Sequence, residues 1–125
     1  MRGRLATDVP AGAGGQDRGM TASIARDELQ TAMAAGGVTV VDALPAVPYG
    51  QRHLPGALNL IAEDAGERAG DVLPDKAAAI VTYSSNAMCG RGEALAARLA
   101  ELGYVDVRVY RDGIEDWVGA GLPVE

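Results

Sequence analysis

Ala79-Ile80-Val81-Thr82-Tyr83-Ser84-Ser85-Asn86-Ala87-Met88-Cys89-Gly90-Arg91 passes from an apolar, β-branched run through small and polar residues to a charged one. Residues 79–83 read as a buried strand. Beyond the loop, Ala94, Leu95, Leu99 and Leu102 repeat at helical spacing, and Gly103 is placed as the stop. A loop leaving the carboxyl end of a parallel strand for a helix gathers backbone N–H groups around one point, and the helix dipole adds partial positive charge. Anions are expected to bind in such a cradle. Ser85, Asn86, Ala87, Met88 and Gly90 would form it, with Met88 the one bulky member, and Arg91 divides between anion contact and solvated helix surface.

Working outward, Arg26 opens a helical pattern with Leu29, Ala32 and Met33 on one face and Gly36-Gly37 as its end. Val38-Thr39-Val40-Val41 is a β-branched run closed by Asp42, which predicts a buried parallel strand with a polar carboxyl end. Pro45 and Pro48 break the chain, with a short helix expected around residues 47–51. His53-Leu54-Pro55-Gly56-Ala57-Leu58-Asn59-Leu60 reads as a Pro-Gly turn feeding a brief strand, and the polar segment to Lys76 holds one short helix. Val107-Arg108-Val109-Tyr110 is a last strand and residues 114–118 a last helix. Strands alternating with helices over short connections predict an α/β three-layer sandwich around a parallel sheet.

The chain has 125 residues, enough for one domain with its own core. Residues 1–19 are rich in Gly, Asp, Arg and Ala without periodicity and predict a disordered N-terminal extension, with the domain spanning residues 20–125. There is no Phe and only one Trp, so an aliphatic core is expected. A net charge of −6, with the eleven Lys and Arg scattered, argues against nucleic acid or an anionic membrane as partner. No apolar run approaches the length of a membrane span, and no signal peptide is expected. Cys89 is the only cysteine, which excludes an internal disulfide and a multi-cysteine zinc site, so neither a metal nor a cofactor is expected. A reducing, cytoplasmic setting is the default.

Three segments together resemble one family, the rhodanese-like domains. The first is Val41-Asp42-Ala43-Leu44 through Tyr49 to His53-Leu54-Pro55-Gly56-Ala57. The second is Ile80-Val81-Thr82-Tyr83 with its loop and the helix to Leu102-Gly103-Tyr104. The third is Val109-Tyr110-Arg111-Asp112-Gly113-Ile114-Glu115-Asp116-Trp117 with Gly121-Leu122-Pro123-Val124. The resemblance covers about residues 24–125 and implies a five-stranded parallel sheet flanked by helices. It also implies sulfur transfer through a cysteine persulfide, from thiosulfate or another small anionic donor to an acceptor that can be a protein.

The family's cysteine immediately follows the strand ending at Tyr83, where this chain has Ser84, whose hydroxyl cannot carry a sulfane sulfur. Relatives with the Asp-x-Leu-Pro form of residues 42–45 have two loop cysteines five positions apart; here Ser84 holds the first position and Cys89 the second. Leu44 stands where many members have Arg, and Asp112 where Gly is usual. Cys89 and Ser84 are therefore the candidate catalytic positions.

Near a helix start a thiol's pKa tends to fall, which favours reactivity at Cys89; a lone Cys is also often an inert buried hydrophobe. Ser84 is either a nucleophile or anion ligand, or a hydroxyl satisfying loop amides; a serine nucleophile needs an adjacent base, and the lone His53 is used in its turn. His53 and Asp42 are expected to act structurally near the site, Asp42 by orienting loop amides or the turn at His53, and Trp117 to anchor the core. The acidic pairs Glu63-Asp64 and Glu115-Asp116 read as solvated surface. Two functions compete: a sulfurtransferase working through Cys89, and a non-catalytic module that holds an anion or a protein. Phosphatase or arsenate-reductase chemistry requires a Cys, five residues and an Arg, a spacing that neither Ser84 nor Cys89 supplies.

Overall fold

The four-residue strands of the centre are rich in β-branched and aromatic residues and mostly buried, and each is followed by a helix that returns the chain, so neighbouring strands run parallel. The structure, a computed structural model, describes residues 21–125. The expected extension over residues 1–19, and Met20, lie outside the described residues. In chain order the elements are β1 (Ala22–Ser23), α1 (Arg26–Ala34), β2 (Thr39–Asp42), α2 (Ala46–Gln51) and β3 (Leu58–Asn59). A 3-10 turn (Ala62–Asp64) leads into α3 (Ala65–Val72), followed by β4 (Ile80–Tyr83), α4 (Arg91–Glu101), β5 (Val107–Tyr110) and α5 (Gly113–Gly119). The five strands form one sheet in the order β1-β5-β4-β2-β3, with every pairing parallel.

Alternation along the strands divides the core into two layers. Val40, Val81, Tyr83 and Tyr110 face Leu29 of α1 and Ile114 and Trp117 of α5. Val41 and Ile80 face Ala65 and Ala69 of α3 and Leu95 and Leu99 of α4. This is the expected three-layer α/β sandwich with a five-stranded parallel sheet.

The core is not purely aliphatic. Tyr83, Tyr104, Tyr110 and Trp117 are all buried, because each polar tip finds an acceptor or donor inside. Trp117 Nε1 donates to Pro123 O at 2.7 Å, Tyr104 donates to Ala69 O and Leu73 O, and Tyr110 donates to Asp116 Oδ2 at 2.6 Å. Burial, and then the bond to Asp116, push the Tyr110 hydroxyl pKa well up. The acidic pairs are also not simply solvated. Asp116 accepts from Arg26 at 3.0 Å, and Glu63 and Glu115 are both engaged near the 84–91 loop.

Candidate functional site

In-register pairing sets Asp42, Tyr83 and Tyr110 side by side at the carboxyl edge of the sheet. The loops that follow them therefore converge there. Residues 84–90 are fastened on both flanks. On one flank, Ile114 N and Glu115 N donate to Ser84 O and Ser85 O, both at 2.9 Å, so two orphan donors of the first turn of α5 are used to hold the loop. On the other, Arg91 Nε donates to Ala43 O at 3.1 Å and its Nη2 pairs with Glu63 at 3.2 Å. Arg91 thus bridges the two loops that follow β2 and β4.

The loop folds back on itself through Asn86. Its Oδ1 accepts from Met88 N at 2.9 Å and Cys89 N at 3.1 Å, its carbonyl also accepts from Cys89 N, and its Nδ2 donates to Glu115 at 3.2 Å. This turn returns Cys89 to the start of the loop, where Ser84, itself buried, donates to Cys89 O at 3.3 Å. The half-buried thiol of Cys89 lies in the neighbourhood of the Ser84 and Ser85 hydroxyls and the backbone of Ser85 and Arg91, which favour its charged form. Burial would raise the thiol's pKa; those donors outweigh it, and the pKa is lowered to about 7. Ala87 and Met88 form the exposed crest, with Met88 93% exposed, and Gly90 leads into α4.

Asp42 and His53 support this edge from below. Asp42 is fully buried; its Oδ1 accepts from Leu44 N at 2.8 Å and its Oδ2 from the Tyr83 hydroxyl at 2.9 Å. That hydroxyl in turn accepts from Leu54 N at 3.0 Å, so Asp42 reaches the turn at His53 through Tyr83. Burial raises the Asp42 pKa, against the opposing bonds from Leu44 and Tyr83. His53 Nδ1 donates to Tyr49 O at 2.9 Å and its ring stacks on Tyr49 at 4.1 Å, which places it in the turn. Residue patterns had not singled out Tyr83, Asn59 or the amides of Ile114 and Glu115. Asn59 Nδ2 donates to Asp42 O and Leu44 O, a link that only the sheet pairing of β2 with β3 reveals. A tyrosine closing a fully buried strand was the one available signal, since its hydroxyl requires a partner.

Removing the Asp42 carboxylate strands the Tyr83 hydroxyl and the Leu44 N–H. Asp42→Ala is expected to cost about 3 kcal/mol in urea unfolding, and Asp42→Asn clearly less, because leaving a buried donor unsatisfied costs about 1–3 kcal/mol each. A loss under about 1 kcal/mol for the alanine variant would contradict this account of the edge.

Among the described residues no group of three or more His, Cys, Asp or Glu is placed to hold a metal, and no helix is long and apolar enough to cross a membrane. A family model described as the rhodanese-like domain matches residues 25–120. The chain belongs to the rhodanese-like domain family. Its rhodanese-like sequence is 35% identical over 103 residues to an HTH-type transcriptional regulator of Mycobacterium tuberculosis, covering 82% of this chain and 44% of the regulator. The chain thus spans less than half the length of that relative. Among solved structures, a Bacillus halodurans protein superposes with TM-score 0.77 at 28% identity, covering 85% of this chain and 77% of that one. A human single-domain sulfurtransferase shares the rhodanese-like fold at TM-score 0.68 and 20% identity, covering 78% of this chain and 95% of that one. A thiosulfate sulfurtransferase of Pseudomonas aeruginosa does so at TM-score 0.68 and 21% identity, covering 84% of this chain and 20% of that one.

Proposed function

We propose that this rhodanese-like domain transfers sulfane sulfur through a persulfide on Cys89. The observation that carries the reading is the Asn86 turn, which returns Cys89 to the start of the loop and sets its half-buried thiol beside Ser84 and Ser85. A thiol lowered to about 7 is substantially thiolate at neutral pH, and the thiolate is the nucleophile. The donors that stabilise the thiolate also suit the negative charge of a persulfide, which is the preorganised stabilisation such a transfer needs. Ser84 fastens the cysteine by donating its hydroxyl to Cys89 O, and Asn86 shapes the turn that brings it there. Thiosulfate is the simplest anionic donor able to load the site, a protein or small thiol the acceptor, and a reducing cytoplasm the setting that keeps Cys89 free.

Intact mass spectrometry tests this reading. After incubation with thiosulfate or an organic persulfide, Cys89 is expected to gain one sulfur, released by cyanide. Absence of the adduct with every donor, while Ser84→Cys protein acquires it, would overturn the proposal. A second reading, a non-catalytic module that holds an anion or a protein, draws on Ser84 standing at the family's cysteine position and on the likeness to a transcriptional regulator. Catalytic turnover by the unaltered chain would exclude it.

A further inference from the structure

The edge of the sheet at β3 carries two adjoining grooves that lie apart from the 84–90 loop. All four residues of β2 pair with β4, whereas β3 pairs with Val41 and Asp42 and goes no further. Among the described residues, the outer edge of Thr39 and Val40 therefore has no strand beside it. A groove opens at this step on each face of the sheet. The first, about 490 Å³, lies against α1 and is lined by Met33, Val38, Val40 and Pro55. The second, about 340 Å³, lies against the end of α3 and is lined by Val72, Leu73 and Pro74. They meet at Thr39 and Leu58, which line both, and Leu58 is 37% exposed, so an apolar side chain faces solvent at the edge itself. Thr39 opens β2 and Asp42 closes it, so the grooves stand about 10 Å along the strand from the carboxyl edge that carries the sulfur site.

Edge, grooves and charge together define an occupant. An open strand edge pairs with an extended backbone, whose successive side chains point to opposite faces, so that neighbouring residues enter the two grooves. The apolar walls select aliphatic side chains there. Each groove also has a carboxylate beside it: Asp75 lines the second, and Glu125 is fixed next to the first by the bond from Gly56 N at 2.8 Å. The net charge of −6 counts every residue of the chain; it repels a second copy and attracts a basic partner. We propose that this edge docks an extended segment of another protein, with consecutive aliphatic residues flanked by lysine or arginine, which adds to the sheet beside β3.

The test follows the amide chemical shifts of the full-length chain during titration with acetyl-Lys-Val-Ile-Val-Lys-amide. Shift changes are expected at residues 38–40, 57–59 and 73–75. A peptide with proline in place of the isoleucine lacks the central N–H and is expected to bind about tenfold more weakly, as is the parent peptide to Leu58→Lys protein. A melting temperature close to that of the unaltered chain shows that Leu58→Lys is folded, and the proline peptide probes the same edge without altering the protein. Asp75→Asn is expected to weaken the parent peptide by about threefold, as for one exposed ion pair, and to leave a glutamine-flanked analogue unaffected. No binding, shift changes confined to residues 84–91, or equal affinity for the parent, proline and glutamate-flanked peptides would overturn the assignment. So would Leu58→Lys dissociating a dimer of the unaltered chain, which makes a second copy the occupant, or displacing the signals of residues 1–20, which makes the chain's own start the occupant.

Discussion

Gly113→Ala is expected to lower stability by about 3 kcal/mol, a fall in Tm of about 12–24 °C for a domain of this size. Two costs combine. Gly113 has φ +74°, a left-handed conformation that costs an L-residue about 1–2 kcal/mol. An added Cβ would also stand 2.6 Å from the carbonyl carbon and oxygen of Ser85 and 2.7 Å from Asn86 N, all backbone, and overpacking of that kind costs about 1–3 kcal/mol. Gly56 supplies the control. It has φ +74° as well, but nothing lies within 4 Å of the added carbon, so Gly56→Ala is expected to cost only the conformational part, about 1–2 kcal/mol. Thermal melts of the two variants separate strain from collision; equal losses would mean that the approach of α5 to the loop is unimportant. Because the collision falls on residues 85–86, Gly113→Ala is also expected to slow alkylation of Cys89 at pH 7.

Cys89→Ala is expected to abolish sulfur loading completely while leaving the melting temperature nearly unchanged, since the thiol is half-buried and its alanine replacement leaves the loop's backbone bonds intact. The companion measurement is pH dependence. Alkylation of Cys89 is expected to rise with pH through a midpoint near 7 and level off above it. Ser84→Ala, removing a neighbouring hydroxyl that lowers the thiol, is expected to move that midpoint upward. The stability linkage has a fixed sign. The folded thiol's pKa lies below its unfolded value, so the thiolate's contribution is present above the unfolded pKa and is lost as pH falls through about 7. A midpoint that stays put in Ser84→Ala would remove the serine from this role.

The sequence made most of the architecture legible because the inner strands and α4 carry strong, distinct periods. Residues 39–42, 80–83 and 107–110 are the expected strands to within a residue, and Gly103 follows α4 as anticipated. What escaped was weak locally. β1 is two exposed residues, Ala22–Ser23, whose only claim to strand structure is parallel pairing with Arg108 and Val109 across the whole chain. The polar 61–76 segment does hold a helix, but its buried face is made of alanines, Ala65 and Ala69, which give little hydrophobic contrast. Tyr83 and Tyr110 count as aromatic residues in a composition yet serve as donors to Asp42 and Asp116, something visible only once the carboxylates are placed. At the loop, the identities of residues 84–91 indicated an anion cradle. The return of Cys89 to the start of the loop and the commitment of Arg91 to Ala43 and Glu63 depend on the Asn86 turn and on neighbours 28 to 48 positions away.

A helix ordinarily leaves its opening N–H groups to water, but in α5 those of Ile114 and Glu115 are sealed against Ser84 O and Ser85 O. Their exchange with deuterium consequently keeps time for the mouth of the site. Each opening of the 84–90 segment must release both protons together, and any adduct on Cys89 that tightens the mouth slows the pair in step. Two backbone positions remote in sequence from the sulfur thus form a label-free clock for occupancy.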